Sequence, residues 1–241
     1  MGTTAIRDAQ QALKDQGFDP GEIDGVWGRN TIAAVKKFQQ QHGLEVDGVI
    51  GPLTTAALLG SPPGVPVAAA AAPVSSSPLV WFEEAKHLVG VKEVPGSQDN
   101  PIIMDWAADL HIIYEGDDVP WCGLFAAHCV GSTLSDERLP GNPLGARQWE
   151  KFGDPTAPRL GAIMVFWREP KDQGVGHVGF YNGEDATAHQ ILGGNQADQV
   201  SLAWLPKNRF LQARWPHTAA GITSKTVMKA RGDNRLSENE A

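Results

Sequence analysis

A cysteine at the start of an apolar segment and a histidine at the start of an alternating segment could together attack an acyl carbon. Cys122 follows Pro120 and Trp121 and opens the apolar run CGLFAAHCVGSTL, which predicts a helix. At a helix N-terminus the helix dipole favours a thiolate, so we expect a lowered pKa for Cys122. Such a thiolate is a nucleophile when a base lies beside it.

His177, in VGHVGFY, is the strongest candidate for that base. It begins an alternating strand after Gly174 and Gly176, so its ring could lie open at a sheet edge. His189, which opens the next predicted strand, is the main alternative.

A histidine base needs a group that holds its ring in one tautomer. Asn195, in GGNQ, comes one strand after His177 and would lie near it if 177–182 and 189–196 pair as neighbouring strands. Its side chain could accept a hydrogen bond from the imidazole N–H. Gln196 is an open alternative, because either amide could do this.

Three further contacts are expected around the nucleophile. The backbone N–H of Cys122, at the helix start, could stabilise an oxyanion. Trp121 and Gln196 are the residues that we expect to contact the substrate.

The remaining composition excludes several other classes of site. Cys129 lies seven positions after Cys122, about 10 Å away along one helix, too far for a disulfide, so both are expected to be free thiols. We expect no metal and no cofactor, because no Cys/His cluster has zinc-ligand spacing. A net charge of −8 argues against nucleic acid, and no apolar run reaches membrane-spanning length.

A Pro/Ala/Ser-rich stretch divides the chain. Residues 61–79, SPPGVPVAAAAAPVSSSPL, carry no charge and predict an extended linker. The chain is therefore expected to be multidomain, with a small domain at 1–60 and a larger one at 80–216. Residues 217–241 lack apolar periodicity and are expected to form a polar tail.

The small domain contains the same octet twice, as DGVWGRNT at 24–31 and DGVIGPLT at 47–54. Three segments with helical periodicity surround these octets. Each octet is therefore expected to form a turn, pack its central apolar residue and begin the next helix, with Thr31 as an N-cap. The result is a three-helix bundle.

Residues 4–60 with their doubled octet resemble the small peptidoglycan-binding domain of cell-wall hydrolases. The resemblance implies bacterial peptidoglycan as the partner. Trp27 could be a core residue or a ligand contact, and no individual ligand residue is transferred from the family.

The larger domain has helices first and antiparallel strands after, which predicts an α+β fold. GAIMVFWR is a buried strand, and GHVGFYNG is a strand whose Asn-Gly pair predicts a hairpin turn. Residues 81–216 resemble the CHAP amidases and their papain-like relatives in the order of cysteine, histidine and polar residue. The resemblance implies a papain-like fold with Cys122, His177 and Asn195 as catalytic residues. Many CHAP enzymes carry a Glu two positions before the Asn, where this chain has Gly193.

Together the two resemblances predict a monomeric peptidoglycan hydrolase that cleaves an amide bond through a thioester. Whether it is an N-acetylmuramoyl-L-alanine amidase or an endopeptidase stays open. A non-catalytic wall-binding adaptor and a thiol acyltransferase on the same fold are the alternatives. The N-terminus lacks a signal peptide pattern, so we expect action in the periplasm or outside the cell after release or injection.

Overall fold

A computed structural model describes residues 3–25, 28–44, 46, 48, 50, 52–59, 79–96, 98–168, 174–231 and 236–237. The chain divides into two compact units, Met1–Val80 and Trp81–Ala241. The first unit is helical and the second contains an antiparallel sheet. The predicted linker lies outside the described residues except for Leu79.

The first unit contains three helices, as the periodicity of its sequence predicts. They are α1 (Thr3–Asp15), α2 (Arg29–Gln41) and α3 (Pro52–Leu59). Apolar side chains at helical spacing meet in one core, in which Phe18 and Phe38 pack edge to face with ring centroids 5.4 Å apart. The other fully or nearly fully buried members include Leu13, Ile32, Ala34 and Val35.

The first copy of the octet is fastened to α1 by a buried glutamine. The side-chain oxygen of Gln10 accepts the backbone N–H of Gly25 at 2.8 Å, in the turn of the octet. Its amide nitrogen donates to Thr31 Oγ1 at 3.0 Å and to Asp24 Oδ1 at 2.8 Å. One side chain thus ties together the Asp, Gly and Thr that the octet repeats.

The second copy uses the same device. Gln39 of α2 accepts the backbone N–H of Gly48 at 2.8 Å and donates to Thr54 Oγ1 at 3.1 Å. Gly25 and Gly48 both adopt positive φ, which glycine adopts without strain. In both copies of the octet, the repeated Gly and Thr are therefore hydrogen-bond partners of one buried glutamine.

Thr31 has a different role from the predicted N-cap. Helix α2 begins at Arg29, with Gly28 at the N-cap position and no side-chain cap. Thr31 lies inside the first turn, where its hydroxyl accepts from Gln10. Trp27, whose role the sequence left open, lies outside the described residues.

The second unit begins with three helices, α4 (Val80–His87), α5 (Pro101–Asp109) and α6 (Cys122–Thr133). Asn100 caps α5 by accepting the backbone N–H of Ile102 at 2.8 Å. Every residue of α6 is buried, so this helix forms the centre of the unit. Within the described part of the chain, no helix is long and apolar enough to cross a membrane.

Six antiparallel strands follow in the order β1-β6-β2-β3-β4-β5 across the sheet. They are β1 (Asp154–Thr156), β2 (Ile163–Trp167), β3 (Gly176–Glu184), β4 (Ala188–Gly193), β5 (Ser201–Pro206) and β6 (Phe210–Trp215). Helix α6 packs on β3 and β4, and Phe125 meets Phe180 with ring centroids 5.8 Å apart. The central strands are therefore covered by the helix that begins with Cys122.

The β3–β4 turn lies further along the chain than the Asn-Gly pair predicts. Strand β3 continues through Asn182 and Gly183, and the register with β4 shifts at this point. The turn follows at 185–187, where the carboxylate of Asp185 accepts the backbone N–H groups of Thr187 and Ala188, each at 2.7 Å. The Asp185 side chain therefore stabilises this turn by accepting hydrogen bonds from the backbone of the turn, and the turn does not lie at the Asn-Gly pair.

The predicted polar tail is partly packed against the sheet domain. Val227 accepts the backbone N–H of Glu184, and Lys229 donates its backbone N–H to the Glu184 carbonyl, both at 2.8 Å. Arg231 pairs with Asp185 at 2.8 Å. The absence of apolar periodicity misled the prediction, because these contacts are made by backbone groups and charges. The compact unit thus extends beyond residue 216.

Replacing Gln39 by Ala should destabilise the first unit by about 2 kcal/mol, because the Gly48 N–H and the Thr54 hydroxyl lose a buried partner. The neighbouring Gln40→Ala is the matched control, since Gln40 is exposed on the same helix. Hydrogen exchange of the α2 amides in the full chain should accelerate only in the first variant. Equal exchange in both variants would contradict the role assigned to Gln39.

Candidate active site

Cys122 is the first residue of α6 and is 4% exposed. Trp121 occupies the N-cap position without making a side-chain cap, and the first backbone N–H groups of a helix have no intrahelical acceptor. Gly123 lies so close to the carbonyls of Pro143 and Leu144 that a Cβ there would clash with both. The thiol is thus placed at a helix N-terminus, as predicted, in a closely packed first turn.

Burial raises the pKa of the Cys122 thiol, opposite to the direction expected from the helix dipole alone. The backbone N–H groups of Val178 and Gly123 and the positive charge of Arg168 lower this pKa, but they do not outweigh the loss of solvent. The interaction with the Val178 N–H also places the thiol against β3, one residue beyond His177.

His177 is the second residue of β3 and is fully buried, not open at a sheet edge. The reason is topological: β3 lies between β2 and β4, with Phe166 as the register partner of His177, and α6 packs over it. The imidazole Nε2 lies 3.1 Å from Gln196 Oε1. Gln196, which the sequence left as the alternative amide, is therefore the one at the histidine.

The orientation of the Gln196 amide fixes the histidine tautomer. Its nitrogen faces two carbonyl oxygens, those of Ser201 and, at 3.5 Å, Ile191, so its oxygen must face His177. His177 Nε2 is then the protonated donor, by assignment from this hydrogen-bond network. The lone pair is consequently on Nδ1, which is the atom that can take a proton.

Asn195 is directed elsewhere. The β3–β4 register pairs Phe180 with Leu192, and its continuation would bring Asn195 opposite His177, but β4 ends at Gly193. Asn195 has a φ of 55°, and its Nδ2 donates to Glu93 Oε1 at 2.7 Å. The predicted contact with the imidazole is therefore absent, because the chain turns at the end of β4.

The backbone at Gly193 passes close to the histidine–glutamine pair. A Cβ at Gly193 would lie 2.9 Å from both His177 Nε2 and Gln196 Oε1. The space for a side chain at this position is occupied by the histidine–glutamine pair.

Trp121 is fully buried and offers no surface to a substrate, and Gln196 is 1% exposed. The indole Nε1 of Trp121 donates to Glu93 Oε1 at 2.7 Å, and its ring contacts Gly194. Both residues predicted to contact a substrate thus pack behind the site. Glu93, which meets Trp121 and Asn195, was not singled out from the sequence, where GVKEVPG carries no recognisable motif.

His189, the alternative base, lies at the opposite end of the hairpin. It is the register partner of Glu184, seven residues along β3 from His177, and its ring packs against the rings of Tyr181, Phe166 and Phe210. Burial lowers the pKa of His189, against the raising effect of Glu184, whose carboxylate is 3.3 Å from its Nδ1. His189 thus pairs with Glu184, whereas the Cys122 thiol interacts with the backbone N–H of Val178, the residue after His177.

The described residues contain no group of three or more His, Cys, Asp or Glu side chains that could hold a metal ion.

Comparison with known proteins concerns the first unit. Residues 3–58, which contain α1, α2 and α3, match the family model described as "Putative peptidoglycan binding domain". No solved structure matches the chain.

Several curated cell-wall enzymes are similar to a short part of the chain. A "Probable N-acetylmuramoyl-L-alanine amidase" of Bacillus licheniformis is 42% identical over 65 residues, covering 24% of this chain and 18% of that protein. Spore cortex-lytic enzymes of Bacillus cereus and Bacillus subtilis (strain 168) are 43% identical over 49 residues and 45% identical over 55 residues. These cover 20% and 22% of this chain, and 19% and 18% of the two enzymes. The chain thus spans less than a fifth of these relatives.

The raised pKa of Cys122 predicts its reactivity. A raised pKa keeps a thiol protonated at a pH where a free cysteine, with a pKa of about 8.5, is already ionised. The rate of Cys122 alkylation by iodoacetamide, followed by mass spectrometry, should therefore continue to rise above pH 9. Cys129 is the internal control, because its pKa is raised well above the usual range and it is fully buried. A rate that is already constant at neutral pH would contradict this assignment.

Proposed function

We propose that this protein is a peptidoglycan hydrolase in which Cys122 attacks an amide carbonyl and His177 transfers the protons. The observation that carries the proposal is the fixed tautomer of His177. Because Gln196 Oε1 accepts a hydrogen bond from Nε2–H, the proton acceptor of the imidazole is Nδ1. His177 lies on β3, the strand whose Val178 N–H interacts with the thiol. The arrangement is papain-like in its roles: a thiol at a helix start, an imidazole on a strand and an amide behind it.

In the first half of the reaction, Cys122 Sγ forms a bond to the carbonyl carbon while its proton passes to His177 Nδ1. The carbonyl oxygen becomes an oxyanion beside the backbone N–H of Cys122 at the start of α6. The C–N bond then breaks, and His177 gives the proton to the leaving amine. The products of this half are a free amine and a thioester on Cys122.

In the second half, water attacks the thioester carbon and gives one proton to His177 Nδ1. The C–S bond breaks, the acyl group leaves as a carboxylic acid, and the proton returns to the sulfur. Gln196 Oε1 keeps its hydrogen bond to Nε2 throughout, so it stabilises the imidazolium that forms in both halves.

Burial raises the pKa of the Cys122 thiol, which disfavours a permanent thiolate–imidazolium pair. We therefore assign His177 the role of a general base that takes the thiol proton during attack.

The substrate assignment is supported by the first unit. The family match at residues 3–58 and the similarity to amidases and cortex-lytic enzymes favour murein as the polymer that the protein acts on. Residues 1–60 would bind it, and the linker 61–79 would keep the hydrolase at high local substrate concentration. The bond cut would be N-acetylmuramoyl–L-alanine or one within the stem peptides.

Cys122→Ala should reduce the lysis of permeabilised cells by at least about 10³-fold, because no other atom can form the thioester. Cys129→Ala is the matched control: it removes the other thiol of the same helix, which faces no proposed catalytic group. Turbidity loss of one cell suspension measures both variants. Lysis by Cys122→Ala at a near wild-type rate would eliminate the catalytic proposal.

Gln196→Ala should lower the turnover rate by about 10²-fold, because the imidazole loses the group that fixes its tautomer. Asn195→Gly should lower it by less than about tenfold, since its amide does not touch His177 and Gly tolerates the positive φ. Both are assayed on one murein preparation. If Asn195→Gly proved the inactive variant and Gln196→Ala did not, the orienting role would belong to Asn195.

A further inference from the structure

The carboxylate of Glu93 joins the two pieces of backbone that carry the proposed catalytic groups. Its Oε1 accepts from Trp121 Nε1 and from Asn195 Nδ2, each at 2.7 Å. Trp121 immediately precedes Cys122, and Asn195 immediately precedes Gln196. One oxygen atom therefore connects the start of the nucleophile's helix to the turn that orients the histidine.

We propose that Glu93 is a positioning residue, which sets the separation between Cys122 and the His177–Gln196 pair through this double hydrogen bond. The inference rests on the proposed function, since it concerns the geometry of that site. We call Glu93, Trp121 and Asn195 the Glu93 bridge.

The backbone holds Glu93 firmly against the Gln196 side of the site. Glu93 N donates to Asp198 O at 2.9 Å, and Val200 N donates to Val91 O at 2.7 Å. Lys92 and Gln199 form an antiparallel bridge between these two bonds. The segment 90–93 is thus a short extended partner of 198–200, which fixes the backbone of Glu93 relative to the turn that carries Asn195 and Gln196.

The two donors in the Glu93 bridge are buried, which makes the acceptor necessary. Trp121 is fully buried and Asn195 is 2% exposed. The indole ring also contacts Gly194, where a Cβ would lie 2.6 Å from Trp121 Cζ3. A buried N–H without an acceptor loses its hydration without compensation, so removing the Glu93 oxygen would drive both pieces to new positions. Small displacements of this kind reduce turnover strongly.

Hydrogen bonding and charge can be separated at this residue. Burial raises the pKa of Glu93, and the negative charges of Asp198, Asp117 and Asp118 raise it further, against the Trp121 hydrogen bond. The Glu93 bridge needs only an oxygen that accepts twice, which the side chain of Gln also provides. Glu93→Gln therefore keeps the bridge without the charge, and Glu93→Ala removes both.

The test compares the full-length variants Glu93→Ala, Glu93→Gln and Asp118→Asn on purified sacculi. We expect Glu93→Ala to lower kcat by about 10- to 100-fold with little change in apparent KM, because the reacting groups are misplaced while substrate binding elsewhere persists. Glu93→Gln should stay within about threefold of the wild type. Asp118→Asn removes an exposed neighbouring charge and should leave the rate unchanged.

Each contrary result has a distinct meaning. Wild-type activity in Glu93→Ala overturns the inference. Equal losses in Glu93→Gln and Glu93→Ala, or a similar loss in Asp118→Asn, would show that charge and not the bridge matters, and would also overturn it. If Glu93→Ala does not fold, Trp121→Phe removes one donor and keeps the ring. We then expect a three- to tenfold lower kcat, and unchanged kcat overturns the inference. Activity of Cys122→Ala would instead defeat the proposed function itself.

Discussion

The buried hydrogen bond between His177 and Gln196 is the interaction on which the rest of the site depends. A glutamine whose nitrogen is committed to two backbone carbonyls presents only its oxygen, and that oxygen leaves His177 with one available tautomer. Strand β4 ends at Gly193, and the turn that follows returns the Gln196 amide to the imidazole of His177. In the mechanism that we propose, the geometry of this turn therefore selects the proton acceptor.

Burial has the largest influence on the pKa of the Cys122 thiol. Three backbone N–H groups, two of them at the helix N-terminus, and a nearby arginine all favour the thiolate of Cys122, yet the loss of solvent outweighs them and the pKa rises. The sequence shows that a cysteine begins a helix, but not that every residue of that helix is covered. A helix-dipole argument made from sequence alone is therefore incomplete, because the size of the opposing desolvation depends on tertiary packing.

Local sequence patterns predicted the helices and strands, whereas the turn positions and the side-chain contacts depended on tertiary packing. Periodicity located the three helices of the first unit, and the order of helices and strands indicated an α+β second unit. The same reasoning placed Thr31 at a cap and the hairpin turn at Asn182–Gly183. It missed that Gln10 competes for the Thr31 hydroxyl, and that Asp185 stabilises a later turn. The choice between Asn195 and Gln196 depended on where β4 ends, which pairing patterns locate only to within a few residues.

Glycines show most clearly how the site is assembled. At Gly123, Gly193 and Gly194 a Cβ would overlap, respectively, a neighbouring loop, the histidine–glutamine pair and the Trp121 ring. At each of these positions, another part of the site fills the space that a side chain would need. In a sequence, glycines indicate flexibility or turns, whereas in this fold these three glycines mark positions where two segments are in close contact. At Gly193 that space belongs to His177 and Gln196, and the carboxylate that holds this turn at Asn195 comes from the half-buried Glu93, one hundred residues earlier in the chain.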